Sequence, residues 1–207
     1  MDDGQTGKWP ARMDQSLASR LIALAAHDRA TRTRLASDGS LFDGYHPEMQ
    51  AVHESNAQAL ETIIDAIGWP IADRVGESGA EAAWLIAQHA IGLPPFQRRC
   101  LGLLEAAVAQ GQAPAWQMAM MFDRVCVFEG RAQRYGSQFD WDDDGQFSPL
   151  PIDDPDGVDR RRAEVGLEPL SAAIANHRAQ TEAGAKPADL ASRRKRMEEW
   201  AQRVGWR

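Results

Sequence analysis

The sequence predicts a mainly α protein: an antiparallel helical bundle with a short β-hairpin after the fifth helix. Three observations carry this. Apolar residues recur at three- and four-residue spacing through five stretches between residues 14 and 130. Gly or Pro marks most of the boundaries between them. The connections are short, which makes consecutive helices pack side by side in opposite directions.

Residues 14–36 place Leu17, Leu21, Leu24, Ala25 and Leu35 on one stripe, ended by SDG at 37–39. Residues 47–67 open on Pro47, suited to a first turn, and carry Met49, Val52, Leu60, Ile63, Ile64 and Ile67. GWP at 68–70 then reads as a corner, with Gly68 the stop, Trp69 a packed wedge and Pro70 the restart. Ser78 followed by Glu81 fits a capping box opening AEAAWLIAQHA, which Gly92, Pro94 and Pro95 end. Residues 95–110 and 114–129 complete the bundle, stopped by Gly111 and Gly130. Phe139 and Trp141 alternate with polar residues before DDDG and Phe147, the pattern of a hairpin near 138–148. VDRRRAEVGL and LSAAIANHRAQ suggest two further helical pieces, TEAGAKPAD a linker, and 187–204 a last amphipathic helix with Leu190, Met197, Trp200 and Val204 inward.

This divides the 207 residues into a disordered tail over 1–13, one helical domain over 14–177, and a linker with the C-terminal helix over 178–207. The opening MDDGQTGKWPAR lacks the apolar stretch of a secretory signal, and no segment has the run of apolar residues a membrane span requires. A net charge of −7 argues against a general nucleic-acid binder, since phosphate affinity rests on clustered Lys and Arg. SRRKR at 192–196 reads instead as the wet side of the last helix, which docks on the body or on another subunit through Trp200 and Trp206. Cys100 and Cys126 lie in apolar patterns far from C-x-x-C spacing, as buried thiols of a cytoplasmic protein do.

Asp140, Asp142, Asp144 and Gly145 match the first half of an EF-hand loop, but Pro151 stands where its bidentate Glu belongs. The run therefore reads as a solvated hairpin tip. No other spacing signals a metal: there is no H-E-x-x-H and no Cys/His cluster, and His53 with His89 and Asp123 would make a three-ligand set with no sequence signature. No metal and no other cofactor is expected.

Several stripes carry polar residues where apolar ones belong. Asp28 and Arg32 interrupt the first helix, Asn56 falls between Val52 and Leu60 with His53 one turn back, and Gln88 and His89 sit in WLIAQHAIG. Asp123 and Arg124 sit inside MAMMFDRVCVF, just before Gln133, Arg134, Tyr135 and Gln138. Burying such groups costs several kcal/mol each, on the order of ~2–7 for a neutral one, unless they find partners. They therefore converge on one another or on a ligand. The candidate catalytic pair is His89, as a general acid favoured by its place at a helix C-terminus, with Asp123 orienting it. Asn56, Gln88, Arg124, Gln133, Tyr135, Gln138 and Arg161 are the candidate ligand-binding groups. Taken singly, each also has a plain structural reading: a core histidine, an ion pair, or amides tying the hairpin to the bundle.

The ordered blocks GWP (68–70), AWLIAQHA (83–90), FQ (96–97), DRV (123–125), Q-x-YGSQ (133–138) and RR-x-x-x-GL-x-PL (161–170) resemble a bacterial family defined as a domain of unknown function. The likeness spans roughly residues 47–170 and brings no activity. The positions matching its blocks include Asn56, Gln88, His89, Asp123, Arg124, Gln133, Tyr135, Gln138, Arg161 and Arg162; the two late arginines read equally as the wet face of a short helix, the reading favoured here. Two classes of function follow. One is a metal-independent hydrolase or transferase with a buried polar pocket for a small anionic molecule. The other is a non-enzymatic interaction or immunity-type module whose polar cluster is structural.

Overall fold

The structure is a computed structural model and describes residues 13–37, 39–42, 44–181 and 189–207. Five helices form the bundle: α1 (Gln15–Ser37), α2 (Pro47–Ile67), α3 (Ala72–His89), α4 (Pro94–Ala109) and α5 (Ala115–Phe128). A two-stranded antiparallel hairpin follows, β1 (Phe139–Trp141) with β2 (Phe147–Pro149), pairing Trp141 with Phe147. Then come α6 (Val158–Glu164), α7 (Leu170–Thr181) and α8 (Leu190–Val204). The expected tail falls almost wholly, and the linker mostly, outside the described residues.

Local chemistry explains the boundaries. Asp14 opens α1 by accepting from the backbone N–H groups of Ser16 and Leu17, both at 3.0 Å. Pro47 sits in the first turn of α2, and Gly68 ends it with φ 74°. The expected capping box at Ser78 does not form. The chain enters α3 at Ala72, breaks at Gly76 (φ 70°, ψ 164°) and resumes at once, so Ser78 already lies inside the helix. Gly76 supplies the turn that the box was expected to make.

Leu21, Leu60, Val75, Ile86, Leu104 and Met121 form the centre of the core. α1 packs mainly on α3 and α2, and α4 on α5. Gly79 sets how near α1 can come, because a Cβ there would lie 3.4 Å from the Ala18 Cα. Ala82, Ala83 and Ala87 keep the same face of α3 small. Ala18 meets Gly79 and, ten residues on, Asp28 meets His89, so α1 and α3 run in the same direction; α2, which meets Leu24 through Asn56 and Asp28 through His53, runs opposite to both. Trp69 is the wedge expected at the corner, 7% exposed.

α8 folds back onto the chain's own body. Trp200 packs against Tyr45 and Phe128, and the Trp206 indole donates to the Ile91 carbonyl at 2.7 Å. Two expectations change here. Met197 faces outward at 38% exposure instead of inward. The basic face is wet as expected at Arg194, Lys195 and Arg196, but Arg193 is partly withdrawn and pairs with Asp140 at 2.6 Å, while the exposed Arg194 reaches Asp143 at 2.5 Å. The aspartate run is thus partly a docking edge for α8. Its other end turns the hairpin, with Asp142 accepting from the Gln146 N–H and the Ser148 hydroxyl, both at 2.8 Å. Cys100 and Cys126 are buried free thiols, and burial pushes Cys100 up to about 12. Among the described residues no helix is long and apolar enough to cross a membrane.

Candidate functional site

Three helices of the bundle meet at one carboxylate. Asp28, halfway along α1, is fully buried, and both its oxygens lie 3.0 Å from His89 Nδ1 at the end of α3. His53 of α2 brings Nε2 to 3.3 Å from Asp28 Oδ2, and its Nδ1 is 2.8 Å from the Tyr45 hydroxyl. The two imidazoles lie 5.2 Å apart between ring centres. Burial alone would raise the Asp28 carboxyl, but the His53 and His89 imidazoles set against it outweigh that and hold the group well below the usual carboxylate range. Asp28 is therefore an anion at neutral pH.

His89 goes the other way from the sequence expectation. Its own burial lowers its pKa, with Arg124 and His53 adding to the effect against the pull of Asp28. The neutral ring predominates at pH 7, so the helix C-terminus does not make it an acid. With Asp28 as its partner, Nδ1 carries the hydrogen and donates, which leaves the Nε2 lone pair free. A quarter of the side chain, 24%, faces solvent. An imidazole in this tautomer, oriented by a buried carboxylate, is built to accept a proton.

Arg124 of α5 stands beside this dyad. It donates to the Gln88 carbonyl at 2.8 Å and to Gln138 Oε1 at 3.2 Å, both neutral acceptors. Among the described residues no carboxylate pairs with it. Burial pulls its guanidinium down to about 10, and the charge of Arg32, exposed one turn beyond Asp28 on α1, adds to that. Gln97 donates to the Ala87 and Gln88 carbonyls at 2.7 and 3.0 Å, and its Oε1, like that of Gln88, is buried without a hydrogen-bond partner. Asn56 donates to the Leu24 carbonyl at 3.3 Å, tying α2 to α1 one turn from the dyad.

The remaining predicted residues build the loop at 133–138. Asp123 does not reach His89; fully buried, it accepts from the backbone N–H groups of Arg134 (2.7 Å), Tyr135 (3.0 Å) and Ser137 (2.9 Å). Burial raises its pKa against the pull of those donors. Gln133 donates to the Gln138 and Leu150 carbonyls and accepts from the Gln138 N–H, closing the loop onto the hairpin. Arg161 and Arg162 are buried, not solvated. Arg161 donates to the carbonyls of Arg134, Asp153 and Asp154 and to the Asp154 carboxylate, and Arg162 to those of Tyr135, Gly136 and Glu168. Tyr135 packs edge-on against Phe122, its ring inside. Within this loop Gly136 has φ 65°, and a Cβ there would meet Ile152 Cδ1 at 2.8 Å. Gly136→Ala is expected to lower stability by about 1–2 kcal/mol, read by urea denaturation, from the left-handed backbone and the crowding together.

The residues chosen from sequence therefore separate into two adjoining groups. His89, Gln88, Arg124, Asn56 and Gln138 gather at or next to the dyad. Asp123, Gln133, Tyr135 and Arg161 hold the loop that presents Gln138 to Arg124. Asp28 and His53 belong to the centre and were visible as breaks in apolar stripes; Tyr45 gave no such signal. Among the described residues Asp28, His53 and His89 are the one group of three His, Cys, Asp or Glu donors whose ligand atoms all lie within 4.8 Å of one another, so the metal-type grouping has Asp28 where Asp123 was considered. A cavity of about 660 Å³ lined by Trp69, Glu77, Trp116 and Gln117 contains none of these groups.

The blocks read from the sequence and the helices that carry them meet one family model, described as a family of unknown function (DUF6624), over residues 15–181. The chain belongs to this family. The DUF6624 region takes in the bundle, the hairpin, α6 and α7, hence both members of the dyad, His53, Arg32, Arg124 and the loop. α8, whose Trp200 packs edge-on against Tyr45, lies beyond it. No curated protein and no solved structure matches the chain significantly.

Proposed function

We propose that the protein binds a small anionic molecule at Arg124 and Arg32 and acts on it as a metal-independent hydrolase or transferase, with His89 as general base. The observation that carries this reading is Arg124: a guanidinium partly withdrawn from water, given only neutral acceptors and set near a second arginine. An uncompensated charge in such a place is costly unless a ligand supplies the counter-ion. Phosphate and carboxylate groups match the guanidinium fork. Asp28 orients His89, whose free Nε2 would take the proton of an attacking water or hydroxyl. Gln88 and Gln97, with unpaired amide oxygens, would receive donors of the ligand.

The test is a thermal-shift titration with phosphate, pyrophosphate and small carboxylates, since a ligand of the native state raises its Tm. The wild type is expected to respond to at least one of them. Arg32→Gln and Arg124→Gln are each expected to weaken that response about 10-fold to 100-fold, the value of a charge-assisted hydrogen bond. Arg32 is exposed, so its variant cannot fail through misfolding. His89→Gln should keep the anion response and lose turnover. The second reading, a non-enzymatic interaction module, is favoured by the complete internal pairing of Asp123, Gln133 and Arg161. An absence of any anion response, with Arg32→Gln indistinguishable from wild type, would decide for it.

A further inference from the structure

We infer that Asp28, His53 and His89 form a binding site for a divalent transition metal of the zinc type, and that occupying it is incompatible with His89 serving as a base. Two imidazoles with one carboxylate, drawn from three helices, match the three-ligand sets of zinc sites that keep a fourth position open. Nitrogen donors outnumber oxygens, which disfavours magnesium and calcium. In a tetrahedron with bonds of roughly 2.0–2.2 Å, donor atoms lie about 3.3–3.6 Å apart. The His53 Nε2 to Asp28 Oδ2 separation is 3.3 Å, and that from His89 Nδ1 to Asp28 Oδ1 is 3.0 Å.

His53 supplies the independent observation. Its ring is nine-tenths buried, yet Nε2 has no hydrogen-bond partner: it lies near the Asp28 carboxylate without the alignment of an N–H···O bond. An unbonded nitrogen 3.3 Å from a carboxylate oxygen is placed to share a cation with it. The other ring nitrogen contacts the Tyr45 hydroxyl at 2.8 Å, the outer contact that fixes the tautomer of a metal-bound histidine. The open position falls on the His89 side, where the cluster reaches solvent.

The consequence for His89 follows from its tautomer. As a base it keeps the hydrogen on Nδ1, donated to Asp28, and the lone pair on Nε2. A metal on Nδ1 displaces that hydrogen, and a neutral ring then carries its proton on Nε2, with no lone pair left for substrate. Zinc would thus act as an inhibitor of the reaction proposed above. This regulatory half rests on that reading; the metal site does not.

The experiment uses the full chain, stripped with chelator and titrated with Zn²⁺ by calorimetry and with Co²⁺ by visible absorption. One site per chain is expected, with His53→Gln and Asp28→Asn abolishing it and Tyr45→Phe weakening it about 10-fold. Nitrogen-15 spectra of His89 should show its proton moving from Nδ1 to Nε2 as Zn²⁺ is added. Absence of saturable binding, or binding unchanged in His53→Gln and Tyr45→Phe, overturns the site. A bound metal that leaves the His89 tautomer in place overturns the incompatibility. Metal binding in a protein that shows no anion response upholds the metal site and sinks the anion reading, whereas an anion response without metal binding does the reverse.

Discussion

Asp123→Ala is expected to destabilise the protein by about 3–5 kcal/mol in urea denaturation, the range for breaking a buried charged contact. The carboxylate is fully buried and gathers the N–H groups of Arg134, Tyr135 and Ser137. Alanine leaves those donors inside with no acceptor, and each unpaired buried donor costs about 1–3 kcal/mol, not additively. Asp123→Asn keeps an acceptor oxygen and should fall well short of the alanine loss. The damage should also reach the anion site, because the loop at 134–137 presents Gln138, whose Oε1 receives the Arg124 guanidinium. Weaker phosphate response in Asp123→Asn, under conditions where that variant is fully folded, would show this link. An alanine variant as stable as wild type would mean the loop is held by Gln133, Arg161 and Arg162 without it.

The bundle was legible because helical periodicity, Gly and Pro all act locally, and the same residues that turn the chain in sequence turn it in space. The polar centre was legible only by half. Asp28 broke the stripe from Leu21 to Leu35 as plainly as Asp123 broke its own, and nothing local distinguishes the carboxylate that meets His89 from the one that holds a loop. That choice is made by the close α1–α3 approach at Ala18 and Gly79, between residues 61 apart for the pair Asp28 and His89. Arg161 and Arg162 misled for a related reason. On a seven-residue helix two charged side chains look solvated, and what makes their burial tolerable is a set of acceptors on a loop some 26 or 27 residues earlier and at Asp153, Asp154 and Glu168. Of the α8 arginines, Arg193 alone departs from the wet reading, because its partner Asp140 belongs to a hairpin that sequence treated as a free tip.

Asp28→Asn is expected to cost about 3 kcal/mol at pH 7, toward the low end of the loss on breaking a buried pair, because the amide oxygen that replaces the carboxylate can still accept from one imidazole. Its pH dependence separates the roles of the three groups. Asp28 has a native pKa below its ordinary 3.8, so between those values the unfolded chain binds more protons. The stability it contributes is complete above pH 3.8 and disappears as pH falls toward the native value. His89 is also depressed, from 6.5, so here too the native state loses ground as pH drops below 6.5. Each unit of displacement is worth about 1.4 kcal/mol. In Asp28→Asn the two windows should move in opposite directions. The loss below pH 3.8 that belongs to Asp28 disappears, while the loss below 6.5 deepens, since the carboxylate that pulled the His89 pKa upward is gone and burial with Arg124 is left to act. Urea denaturation of both proteins from pH 3 to pH 8, with proton NMR titration of His89, reads each window separately. A His89 pKa unmoved by the substitution would show that the imidazole takes its protonation from burial alone, and the dyad would lose its claim to act as one unit.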